Sequence, residues 1–319
     1  MQTTWAWLPA IYLYLGGLGA VAFLIAAAME WSGQQYQRPF CPMALVGSTV
    51  GGPLLLLGTV SLILDLGAGL REPWRIFYMF THFRSVMSWG IWILSLFIPL
   101  YFLYGFLELM EVYPRVWRGL FVRRFPWLRR LPLRWIKHWV AGVGSVFAVS
   151  TAIYTGVLLS AVGPSIPFWS TPIASWLSIP MLPVLFLVSA ISTGMGLTID
   201  LSATLALPSI HRVLKNLPAI HLALIGVEAV LVGMLLIGAL GQGGAAAQSA
   251  RFIIAGPLSI AFWLGVVLPG LVYPFMVHAY ALGAGRHSIA SGLGSGAGLI
   301  IAGMCLRYII IASGVPATL

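Results

Sequence analysis

The sequence predicts an all-α, polytopic integral membrane protein of about eight transmembrane helices packed as a bundle. Three observations carry that prediction. Of 319 residues 60% are hydrophobic, and only 17 basic and 7 acidic side chains are present, where a water-soluble domain carries about a quarter charged residues. Apolar stretches long enough to cross a bilayer, roughly 20 residues each, recur eight times. The basic residues gather in the short segments between those stretches, mostly on alternate connections. This composition excludes a soluble enzyme, a nucleic-acid binder and a disordered scaffold, and the net charge of +10 reads as topology information.

The first span is expected at about 8–28, retained because it has neither a basic leader nor a small-residue cleavage signal. Further spans follow at about 44–66, 86–109, 136–160, 179–198, 217–240, 252–279 and 289–311. A long basic loop at about 111–135 separates spans 3 and 4. The segment at about 161–183 holds five prolines, which break any continuous helix and make it a cap over one face. QGGAAAQSARF reads as a short flexible connection between spans 6 and 7. One integral membrane domain, 1–319, is implied, without an internal repeat.

Twelve of the seventeen basic residues fall after spans 1, 3, 5 and 7, with Lys137 counted at the end of the basic loop that follows span 3. By the positive-inside rule those connections are cytoplasmic, and both termini face the periplasm or cell exterior. Contact of the basic loop with anionic lipid explains its charge without a further partner.

Function in such a chain is sought where ionisable groups meet hydrocarbon. Asp65, Tyr12 and Tyr154 all come out near the outer surface, on spans 2, 1 and 4. A quinone headgroup needs donors at its two carbonyl oxygens, a carboxylate or water for proton exchange, and an apolar slot for its tail. The plain alternative is an interfacial tyrosine belt, with Asp65 paired to Arg71 or Arg75. Glu228 stands midway along span 6 and must be neutral, hydrogen-bonded or hydrated. Arg307 is the basic residue within span 8 and the natural partner of Glu228. Asp200, with His211 or His221, offers an inner-side polar cluster and a possible proton path towards Glu228. Axial haem ligands would be sought among His138, His221 and His278, although surface histidine is the simpler reading. Two cysteines, Cys41 and Cys305, cannot hold an iron–sulfur cluster, and no metal-ligand motif of usable spacing is present.

The runs WLPAIYLYLGGLGAVAFLIA, LDLGAGLREPWRIFYMF, SVMSWGIWILSLF, YTGVLLS, PVLFLVSAISTG and FWLGVVLPGLVYP, in this order, resemble the NrfD/PsrC family over about Trp5 to Arg307. The family comprises membrane subunits of respiratory molybdenum and related oxidoreductase complexes. The resemblance implies a quinone or quinol as ligand, menaquinone or ubiquinone, and no haem or iron–sulfur cluster in this chain. It also implies an extracytoplasmic ferredoxin-like partner with several [4Fe–4S] clusters and a catalytic, molybdopterin-type subunit. Substrate chemistry would then occur elsewhere in a complex held in a bacterial or archaeal cytoplasmic membrane. Carried over by position, the headgroup contacts become Tyr12, Asp65 and Tyr154, with Arg71 and Arg75 as basic partners and Glu228 and Arg307 as the buried charged residues. The sequence departs from the pattern at GAGLREP after the aspartate, at Val86 in place of a proline, and in the extra ASWLSIP near the outer face. A secondary transporter, a proton-translocating subunit and a passive anchor are the alternatives.

Overall fold

The computed structural model describes residues 7–32, 42–65, 80–115, 132–174, 176–205, 217–284 and 289–317. In chain order the elements begin with four helices: α1 (Trp7–Trp31), α2 (Pro42–Asp65), α3 (Val86–Val112) and α4 (Leu133–Ala161). A 3₁₀ turn (Pro167–Ser170) leads into a hairpin of β1 (Pro172–Ala174) and β2 (Leu177–Pro180), followed by α5 (Leu182–Leu205), α6 (Leu217–Gln242) and the short α7 (Gly244–Ile254). The seventh long helix, α8, starts at Ser259–Phe262, widens into π-helical turns over Trp263–Val272 and finishes as Tyr273–Ala284. The last is α9 (Ile289–Ala312). Eight of these helices are long and apolar enough to cross a membrane, which makes the protein a multi-pass helix bundle.

Helix α1 is the axis of the bundle, packed against α2, α4, α5 and α9. Its apolar character runs all the way round, as expected of a helix surrounded by others. Glycines set the closeness of α1 and α2. Gly19 abuts the Gly51 carbonyl, and Gly47 abuts the Ala22 carbonyl. With little hydrophobic drive between helices in lipid, such close backbone approach supplies the packing energy. At the end where α2 begins, Phe23 of α1 is enclosed by Phe97, Tyr101 and Tyr104 of α3. The buried hydroxyls of Tyr101 and Tyr104 donate to the carbonyls of Gly47 and Ala26, at 2.5 and 3.1 Å.

The end of the bundle where α1 starts and α9 finishes carries the cap predicted from the prolines. Trp169 is fully buried there and donates from Nε1 to the Ile310 carbonyl at 2.9 Å. The hairpin is antiparallel, with Pro172 opposite Pro180. The chain after α9 is fastened to the same cap: Val315 N donates to Ser249 Oγ at 3.1 Å and Ala317 N to the Ser165 carbonyl at 2.9 Å.

Three sequence expectations need correction here. The fifth span starts at Leu182, because Ile179 is taken by β2. The seventh starts at Ser259, because Phe252 belongs to α7, and the connection expected to be flexible is largely helical. Gly243 and Gly244, at φ of 72° and 53°, make the left-handed turn that lets α7 fold back against α6.

Candidate functional site

Tyr12 is buried on the face of α1 that meets α2 and α4. Gly58 of α2 packs against the Tyr12 carbonyl, which fixes the tyrosine two turns below the end of α2. Asp65 is the last residue of α2 and is exposed. Tyr154 lies on α4, half-buried, with its ring against Gly90 of α3. A Cβ atom at position 90 would overlap the Tyr154 ring, so the glycine of the MSWG sequence is the space that ring occupies. The Tyr154 hydroxyl is 3.5 Å from the Met87 carbonyl, at the limit of a hydrogen bond. That hydroxyl is therefore weakly committed and open to another acceptor. Both Tyr154 and Asp65 lie within electrostatic reach of the Tyr12 phenol. Polar groups of α2 and α4 thus lie within electrostatic reach of one on α1, at the same end of the bundle. Leu56, Leu57, Val60 and Leu64 leave an exposed apolar strip on the other face of α2 from Gly58. Arg71 and Arg75 lie outside the described residues.

A second polar group is built among α1, α5, α6 and α9. Arg307 of α9 is completely buried. Its Nη1 donates to Ser189 Oγ at 3.0 Å and to the Gly303 carbonyl at 2.9 Å, and its Nη2 to the Phe186 carbonyl at 3.3 Å. The guanidinium also faces the rings of Tyr14 and Phe186, at 5.3 and 5.1 Å. Glu228 of α6 is hydrogen-bonded to Ser189 and Ser192 of α5 and interacts electrostatically with Arg307. The expected partnership of Glu228 and Arg307 is therefore carried by Ser189, which stands between them, and not by a direct ion pair. The Tyr14 hydroxyl and Arg307 Nε are buried without a hydrogen-bond partner. Asp200 lies in α5, with its side chain outside the described part; His211 is outside it altogether.

Of the histidines considered as haem ligands, His221 and His278 touch directly, Nδ1 to Nε2 at 3.2 Å, with Ser295 Oγ also 3.2 Å from His278 Nε2. Ring-to-ring contact leaves no room for a porphyrin between them. His138 is on another helix and contacts Glu30 at 3.3 Å. Among the described residues no group of three or more potential metal ligands is present.

One constellation was missed at the sequence level. Lys137, counted there among the basic loop residues, is buried in the first turns of α4. It reaches Glu30 of α1 at 2.9 Å and Glu108 and Glu111 of α3 at 2.5 and 2.7 Å. The signal that could have found it is that three of the seven acidic residues fall at the ends of spans 1 and 3, on the side that carries the basic loop.

The similarity to known proteins runs along nearly the whole sequence. The family model described as "Polysulphide reductase, NrfD" matches residues 1–317. The membrane protein is 30% identical to the C component of polysulfide reductase from Wolinella succinogenes, over 97% of its own length and 94% of that relative's. Protein NrfD of Escherichia coli is 27% identical over the same shares, and the NrfD homolog of Haemophilus influenzae is 24% identical over 86% of this chain and 83% of its own. A near full-length family match, on eight membrane-crossing helices, makes this chain a member of the NrfD family of membrane proteins.

Proposed function

We propose that this chain is the quinone-reactive membrane subunit of a respiratory oxidoreductase complex in a bacterial or archaeal cytoplasmic membrane. The observation that carries the reading is that Tyr154 of α4 and Asp65 of α2 lie within electrostatic reach of the Tyr12 phenol at one end of α1. Two phenols on different helices, one nearly free of hydrogen-bond commitment, suit the two carbonyl oxygens of a quinone ring. Quinol, probed as menaquinol or ubiquinol, supplies two electrons and two protons when bound. Tyr12 and Tyr154 hold and orient the headgroup oxygens, and Asp65, exposed at the helix end, passes protons to the aqueous phase on its own side.

Electrons leave to a ferredoxin-like subunit with several [4Fe–4S] clusters, docked on the face where α1 starts and α9 finishes, and continue to a molybdopterin-type catalytic subunit. That face is extracytoplasmic by the positive-inside distribution. The chain itself holds neither haem nor cluster in this reading.

The test is quinol-linked turnover of the purified complex with Tyr12→Phe and Tyr154→Phe. Loss of turnover with normal subunit assembly supports the site. Unchanged KM and kcat in both variants overturn it.

A second reading, a proton-translocating subunit or secondary transporter, is favoured by one observation. Glu228, Ser189, Ser192, Arg307 and Tyr14 form a buried polar array that passive anchoring does not need. Asp200 would feed it from the opposite face. Proton uptake into proteoliposomes that is driven by quinol and abolished by Glu228→Gln supports this role, and uptake unchanged in that variant removes it.

A further inference from the structure

His221 and His278 have no part in the quinone reading. His221 stands near the start of α6, His278 towards the end of α8 and Ser295 near the start of α9. All three are buried, with 5%, 8% and 1% of their surface exposed. The two rings meet edge to face, 4.8 Å between centroids and 74° between planes. His221 Nδ1 lies 3.2 Å from His278 Nε2, and Ser295 Oγ is 3.2 Å from that same Nε2. In such a contact at least one of the two nitrogens presents a lone pair. The other nitrogen of His221, Nε2, is buried with no hydrogen-bond partner. Burying a ring that is bonded on one side only is costly, which points to more than a neutral hydrogen bond at Nδ1. The helices themselves hold these groups in register. Gly294 of α9 leaves room for the Tyr273 hydroxyl of α8, and Gly298 abuts the Pro269 carbonyl, so α8 and α9 touch closely beside the turns that carry His278 and Ser295.

We infer that His221, His278 and Ser295 are the protein ligands of a divalent transition-metal ion, zinc by the geometry, which ties α6, α8 and α9 together. The tie lies at the starts of α6 and α9 and the end of α8, the cytoplasmic side by the positive-inside distribution. Zinc stands about 2.0–2.1 Å from imidazole nitrogen in a tetrahedral site, which sets two such nitrogens about 3.3 Å apart. The two 3.2 Å edges, nitrogen to nitrogen and nitrogen to hydroxyl oxygen, match that spacing. Contact that excludes a porphyrin thus admits a single ion. Among the described residues the set is two imidazoles and a hydroxyl, with water at the fourth corner. Imidazole donors select zinc, copper or nickel over magnesium and calcium, which take oxygen ligands. A zinc-bound water ionises near neutral pH, and hydroxide at that corner lowers the charge that the membrane edge must hold.

The experiment is titration of the full chain in lipid nanodiscs, stripped with chelator, with zinc chloride, followed by zinc K-edge X-ray absorption of the loaded protein. One zinc per chain is expected, with a nitrogen and oxygen shell at about 2.0–2.1 Å and outer-shell scattering from two imidazoles. His221→Gln and His278→Gln should each weaken binding about tenfold or more, and Ser295→Ala by less. His138→Gln, at an exposed histidine of α4, should leave it unchanged. Zinc chloride should raise the unfolding midpoint of the native chain, magnesium chloride at the same concentration should not, and the rise should be lost in the double histidine variant. Undiminished zinc binding in the double variant, a native chain that binds no zinc, or a native spectrum without imidazole scattering overturns the assignment. The spectrum is read on the native protein, so the test stands even where a glutamine variant fails to fold.

Discussion

The Tyr154 ring of α4 fills the space that a side chain on Gly90 of α3 would occupy. The hydroxyl is thereby brought to 3.5 Å from the Met87 carbonyl while the ring remains only half-buried. The position of one candidate headgroup ligand is thus set by the absence of a methyl group on the next helix.

Gly90→Ala is expected to push the Tyr154 ring aside and lower quinol turnover about tenfold or more, since small misplacements of a positioning group are costly. The chain should still assemble, because the clash is with the far end of a side chain. Tyr154→Ala in the same background distinguishes the cause: the double variant should be no worse than Tyr154→Ala alone, as measured by turnover of the assembled complex.

Asp65→Asn keeps the shape of the helix end and removes the proton acceptor. Turnover is expected to fall at least tenfold, with Asp65→Glu partly restoring it. The limb of the pH–rate profile that reports the carboxylate should vanish in the asparagine variant. A normal profile at normal rate would remove Asp65 from the proton path.

Ser189→Ala breaks the bridge between Arg307 and Glu228 without enlarging the core. Each of those groups is buried, and a lost partner costs about 1–3 kcal/mol in such a place. The expected result is a lowered unfolding midpoint in detergent. Ser189→Thr, which restores the hydroxyl, should recover part of the loss.

Trp169 anchors the cap to α9. Trp169→Phe loses the hydrogen bond to Ile310 and should destabilise the chain by about 1 kcal/mol, whereas Trp169→Ala also opens a cavity and should cost about 3–5 kcal/mol. Limited proteolysis at the hairpin checks both, with cleavage rising in that order.

The spans were legible because hydrocarbon demands about 20 apolar residues per crossing, and a composition this poor in charge leaves few other ways to arrange them. The prolines of 161–183 likewise announced an interrupted cap. What the pattern hid was fine register. Ile179 and Phe252 are as apolar as their neighbours, so nothing local said that one joins a strand and the other a separate short helix. Membership in the family was readable from ordered motifs, and the family match over residues 1–317 supports it. The relation of Arg307 to Glu228 was seen only as a pair, since a bridging serine leaves no mark distinct from any other small residue in a membrane helix. Lys137 was assigned to the loop because a lysine near a span end ordinarily reaches water by snorkelling. It is buried because acids from two other helices converge on it, and convergence between helices is not written in any one segment.

Helix α1 carries Tyr12 towards α2 and α4, Tyr14 towards Arg307, and Glu30 towards Lys137. From Tyr12 to Glu30 it spans roughly 27 Å as a single uninterrupted helix. Three separate polar assemblies are therefore mounted on one rigid spindle. A turn or slide of that spindle at one station must be felt at the other two, so a reporter group placed beside Glu30 should register events at Tyr12 with no molecule travelling between them.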